Sequence, residues 1–318
     1  MDASIESLKA EPALAWKLAV NVEGHDLDSK AARKAAKTVK ESELVRGLLK
    51  GRLPSGRTRH QAYFKWSGSH WLLAVLADLG YPPGDESLRP MMEQTFDTWL
   101  SEDHVRKHLR VIDGRTRRCC SQEGYAVWSS LRLGFADDRT TELVERLLKW
   151  QWPDGGWNCD KHPEAHNSSF MESLIPLRAL ELYARTSGDR RVRLAAEHTA
   201  DIFLKRRLFK RQSTGAQIHP SFTKLHYPCY WHYDILFGLK VLAEAGLIGD
   251  PRCKDALDLL ESKRLPDGGF PAEENYARRR SPDISGYSPV GWGGISTVHM
   301  NPFVTADALY SLRAAGRL

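Results

Sequence analysis

The stretch LLKWQWPDGGW, Leu147 to Trp157, decides the fold, because it returns in altered form as LLESKRLPDGGF, Leu259 to Phe270. In each copy a helical turn runs into Pro-Asp, which starts a tight turn. Two glycines then let the backbone reverse, and an aromatic residue re-enters the core. Gln151 is placed to bond the backbone end of a neighbouring helix. Two such helix-turn-aromatic units in one chain point to a repeat architecture.

Outward from these turns the repeat extends. WLLAVLADLGYPP from Trp71, AVWSSLRLGFADD from Ala126, LFGLKVLAEAGLIGD from Leu236 and ALYSLRAAGRL from Ala308 are apolar helices. They close on Gly80, Gly134, Gly246 and Gly316, residues suited to the left-handed position after a last helical turn. SFMESLIPLRALELYARTSGD from Ser168 belongs to the set, ends at Gly188 and carries Pro176, where a kink is expected. More polar helices follow them at Leu88–Leu100, Thr140–Trp150, Arg190–Lys205 and Arg252–Lys263. No sustained period-two alternation marks a strand. An inner helix, a turn and an outer helix therefore recur about every fifty residues. One such hairpin cannot bury its inner face, whereas a closed ring of them can. The expected fold is all-α, a single α/α toroid over residues 61–318. Residues 1–60 form an N-terminal helical extension packed outside it, helical at Leu8–Val22 and Lys30–Lys50 and ending in the loop GRLPSGRTRH.

The 318 residues are 42% hydrophobic and 27% charged, which allows a large core and a soluble surface. No apolar run reaches the ~18 residues of a membrane span. The N-terminus lacks the basic-then-apolar order of a signal peptide. Five cysteines without a CxxC pair argue against a disulfide framework and for a reduced, cytoplasmic setting. The net charge of +6 is scattered in short clusters, without the basic, aromatic-interleaved stripe of a nucleic-acid binder. GxGxxG, Walker, GxSxG and HExxH motifs are absent.

Leu147 to Trp157 resembles the QW repeat of squalene and hopene cyclases, and both PDGG turns resemble those of protein prenyltransferase β subunits. The resemblance spans roughly Trp66 to Leu318. It departs in the second copy, where Arg264 stands in the place of Gln151 and Phe270 in that of Trp157. The chain has room for one toroid. It looks most like bacterial single-toroid proteins labelled squalene-cyclase-like, chiefly through YWHYDILFGL (Tyr230–Leu239) and DGGWNCDKHPEAHNSSF (Asp154–Phe170). This implies an enzyme acting on an isoprenoid or other apolar molecule in a central pocket, by proton-initiated cyclisation or isomerisation, or by prenyl transfer. Protein prenyltransferases need a partner subunit; the sequence leaves that open here.

Residues at the starts of the inner helices converge on one rim of a toroid. His232 and Asp234 are the expected proton-handling pair, with His166 and Glu172 as second choices. Asp234 also suits a helix N-terminus for its dipole alone. Trp71, Tyr125, Phe170, Tyr230 and Tyr233 are candidates for an aromatic wall that stabilises cations, or else core. The DxDD acid of two-toroid cyclases is missing. The resemblance to prenyltransferases implies zinc at His226, Cys229 and His299, with Tyr227 where their Asp stands; the set is chemically acceptable with an open fourth position. Cys159, Asp160 and His162 form a second possible cluster. Two competing readings are a polysaccharide lyase or glycoside hydrolase, with charged groups outnumbering aromatics around an open groove, and a non-catalytic scaffold with a filled centre.

Overall fold

The computed structural model describes residues 3–26 and 29–318; Met1, Asp2, Leu27 and Asp28, part of the N-terminal segment read above, lie outside it. The chain is the α/α toroid expected. Short N-terminal helices α1 (Ala3–Glu6), α2 (Pro12–Lys17), α3 (Lys30–Val39) and α4 (Glu43–Leu49) come first. The apolar inner helices are α5 (Ser69–Asp78), α8 (Ser121–Leu133), α10 (Phe170–Ser187), α12 (Ile235–Glu244) and α14 (Pro302–Ala314). Each packs on the next, and outer helices α6 (Arg89–Leu100), α9 (Asp138–Trp150), α11 (Arg190–Lys205) and α13 (Lys254–Glu261) lie against them. Between α6 and α8 come a short helix, α7 (Glu102–His108), and a hairpin of two strands, Arg110–Ile112 and Arg115–Arg117, the one sheet among the described residues.

The inner helices are buried nearly all round and the outer ones along one face, as a two-layer ring requires. Gly134 and Gly188 end α8 and α10 with φ of 76° and 74°. Helix α10 runs unbroken through Pro176, and Gly124 of α8 packs against it there. A Cβ on Gly124 would lie 2.8 Å from the Pro176 nitrogen.

The repeated turns dock by one rule. In the first, the Trp157 amide donates to Ser173 Oγ on α10 (3.1 Å); in the second, the Phe270 amide donates to Thr305 Oγ1 on α14 (2.9 Å). Both rings are fully buried. Each turn thus clamps an outer helix to the inner helix that follows it in the chain. Gly155 takes φ 101° and lies against the α11 backbone.

The N-terminal segment departs from the expectation that it packs outside. Helix α2 and the π turn Leu18–Val22 lie against α14, Trp16 covers Gly80 after α5, and α3 backs α2. Lys17 reaches the middle of the ring, 1% exposed. No helix among the described residues is long and apolar enough to cross a membrane.

Candidate functional site

The centre of the ring is filled by charged side chains rather than by the open aromatic pocket expected. Lys17 Nζ lies 2.8 Å from Asp78 Oδ2 and 2.7 Å from Asp307 Oδ1. Lys240 Nζ bridges the same two carboxylates at 2.7 and 2.9 Å. Arg178 joins Asp78 (2.9 Å) to Glu244 (2.6 Å), and the Tyr227 hydroxyl donates to Asp78 at 3.1 Å. Three cations thus meet three carboxylates, contributed by α2, α5, α10, α12 and α14. Burial alone would raise the Asp78 carboxyl; Lys17, Lys240 and Arg178 overcome it and hold Asp78 well below the usual carboxylate range. Asp78 is therefore a poor proton donor.

On one side of this hub, where the inner helices end, lies a cavity of about 450 Å³. Its apolar wall includes Trp16, Trp128, Leu182, Val241 and Tyr310, and Asp78, Arg178, Lys240 and Glu244 also line it. The Arg178 guanidinium sits 3.7 Å over the Trp128 ring. Two further lining groups are chemically available. Arg132 has no ion-pair partner among the described residues; burial lowers its pKa, and its guanidinium faces Trp16 at 5.9 Å. Glu181 is raised by burial, against the opposing pull of Arg193 and Arg185. An anion-accepting group and a carboxyl raised by burial thus share one amphiphilic chamber. Sequence reading missed all of these residues. The available signal was single charges inside apolar helices: Asp78, Arg178, Lys240 and Asp307.

The residues singled out from sequence fall elsewhere. Asp234 caps α12, accepting from the Phe237 amide (2.7 Å) and the His226 amide (2.9 Å). Its ring partner is His226, at 2.8 Å from Nδ1, not His232. Burial would lower the His226 pKa, and Asp234 raises it above the usual value. His232 is stacked between Trp231 (4.0 Å) and Tyr276 (3.7 Å), and burial lowers it to about 3, so it is neutral. None of these three lines the 450 Å³ cavity.

The expected aromatic wall divides in two. Trp71 and Tyr125 pack with Tyr230, which stacks on Trp66 at 4.1 Å; Phe170 packs edge-on with Tyr233, 4.8 Å away. All five are buried core. His166 is exposed beside Glu164, while Glu172 is buried, so that pair does not form.

The proposed zinc trio does not gather either. His226 is engaged by Asp234, Cys229 Sγ donates to the His226 carbonyl, and His299 lies on an exposed loop. Asp160 and His162 are exposed and leave Cys159. Among the described residues, the group whose ligand atoms come within 4.8 Å of one another is Cys119, Cys159 and Glu172.

Fold and site together define a single α/α toroid with a charged hub and a chamber beside it. No family model matches the sequence, and no curated protein matches it. Among solved structures the chain is similar to a variant of the type II terpene cyclase MstE from Scytonema, in complex with its substrate geranylgeranyl dihydroxybenzoate. The identity is 14% and the TM-score 0.45, over 99% of both chains. The apo form of MstE has 15% identity and a TM-score of 0.45, over 96% of this chain and 88% of that one. A protein from Actinoplanes has 18% identity and a TM-score of 0.44, over 96% and 89%. At such low identity and score, what those proteins bind is theirs alone.

Proposed function

We propose that this protein is an enzyme of the terpenoid-cyclase and prenyltransferase type, which takes an isoprenoid or similarly apolar molecule with an anionic head into the 450 Å³ chamber. The carrying observation is that Arg132, which has no ion-pair partner among the described residues, and Glu181, whose carboxyl is raised by burial, both line that chamber together with Trp16 and Trp128. Arg132 accepts the anionic head. Glu181 delivers its proton to an alkene, whose electron pair forms the new C–H bond. The resulting carbocation is sheltered from water by the chamber's apolar wall, which includes Leu182, Val241 and Tyr310. Loss of a proton from a neighbouring carbon to the Glu181 carboxylate restores the acid and completes an isomerisation or cyclisation. A filled centre is what a non-catalytic scaffold would have; the chamber beside it is not.

A sugar-directed lyase or hydrolase has one observation in its favour. Charged side chains outnumber aromatic ones around the chamber. Yet Asp78, Arg178, Lys240 and Glu244 neutralise one another, which leaves little free polarity for hydroxyl groups.

The test is titration of the chain with an isoprenyl diphosphate and with an oligo-uronate, followed by tryptophan fluorescence and product analysis. The expected result is quenching by the diphosphate, lost in Arg132→Ala. Glu181→Gln should bind but form no product. Binding of the uronate alone would transfer the chamber to the sugar reading, and binding of neither would remove both.

A further inference from the structure

We propose that Cys119, Cys159 and Glu172 form a binding site for a borderline-soft divalent cation of the zinc class, with an open coordination position facing a cleft at the opposite end of the inner helices. The site is separate from the 450 Å³ chamber.

Three elements build it. The segment before α8 pairs with the loop after Trp157 through a parallel bridge, Arg117 with Asn158, and the Arg118 amide donates to the Asn158 carbonyl at 3.1 Å. That pairing sets Cys119 beside Cys159. Glu172, in the first turn of α10, is turned inward. One carboxylate oxygen accepts from the Ser121 amide at 3.0 Å, and the other from the Cys159 thiol at 3.5 Å. All three ligand atoms lie within 4.8 Å of one another. Bond lengths of about 2.3 Å to sulfur and 2.0–2.2 Å to oxygen put the ligands of tetrahedral zinc roughly 3.5–4 Å apart, so only a small contraction is needed.

The chemistry is selective. Two sulfurs favour zinc over magnesium or calcium, which want oxygen ligands alone. Without a cation the Cys159 thiol donates to Glu172. A cation takes the place of that proton, and the thiol protons leave as it binds. The remaining negative charge lies near Arg118, itself neutralised by Glu123 at 2.6 Å.

An entry path exists. Both thiols line a cleft of about 770 Å³, together with His104, Gln122 and Tyr63. Gln122, only 9% exposed, has no hydrogen-bond partner for Oε1, and His104 Nε2 has none either. Such unanswered polar atoms are costly unless water or a ligand meets them. Three protein ligands with an open position toward a cleft is the arrangement of zinc sites that engage a small molecule, rather than closed structural ones.

The experiment uses the full chain, reduced and chelator-treated, titrated with Co²⁺. The expected result is saturation at one ion per chain with a thiolate-to-cobalt charge-transfer band, displaced by Zn²⁺. The band should vanish in Cys119→Ser and in Cys159→Ser. In the wild type, bound Zn²⁺ should shield Cys119 and Cys159 from alkylation, a reading that needs no variant. Absence of the band in the reduced wild type, a band that survives both substitutions, or alkylation of the two cysteines unchanged by Zn²⁺ would each overturn the proposal.

Discussion

Lys17 Nζ donates to Asp307 Oδ1 at 2.7 Å, joining residues 290 positions apart and tying the N-terminal helix α2 to the last inner helix, α14. The side chains are 1% and 5% exposed. Without Lys17 the buried hub is one positive charge short, and Asp78 and Asp307 must share Lys240 and Arg178; breaking a buried ionic network in this way costs about 3–5 kcal/mol. Lys17→Met should therefore lower the urea midpoint strongly. Lys254→Met, which breaks the exposed pair with Asp258, should leave it unchanged.

The two turn copies should differ in strength. Gln151 Nε2 donates to Gly155 O (2.8 Å), Ala195 O (2.9 Å) and Thr199 Oγ1 (3.0 Å), tying the first turn to α11. In the second copy Arg264 reaches only Gly268 O, at 3.0 Å and in the open. Gln151→Ala should cost about 1–2 kcal/mol, as lost and unanswered hydrogen bonds do. Arg264→Ala should cost much less in the same denaturation series.

Helices α8 and α10 should tolerate no added methyl at their crossing. The atom 2.8 Å from a Cβ at Gly124 is backbone, Pro176 N, and cannot swing away. Overpacking of this kind costs about 1–3 kcal/mol. Gly124→Ala should lower the thermal midpoint, although alanine is the better helix former.

The His226–Asp234 pair should make stability depend on pH in a definite direction. Because the folded pKa of His226 lies above the ordinary histidine value of 6.5, its contribution is complete below 6.5 and fades as pH rises through the folded pKa. The difference in thermal midpoint between wild type and His226→Asn should be largest on the acid side of 6.5 and shrink toward alkaline pH. A difference that grows with pH would contradict this sign.

Local chemistry made the toroid legible. The PDGG turns, the terminating glycines and the helical spacing of apolar residues act within a few positions, so hairpins and their order follow from the chain read by itself. Asp234 as a helix cap was readable for the same reason. The hub was not, because Lys17, Asp78, Arg178, Lys240 and Asp307 become one cluster only when separate helices settle at matching depths around the ring. Cys119 and Cys159 likewise meet through a bridge between two loops, while His232 and Asp234, two residues apart, are turned to different neighbours. Periodicity determines which face of a helix is buried; only packing among helices decides which buried polar groups share a centre, since a charge inside an apolar core is held by partners that sequence spacing does not name.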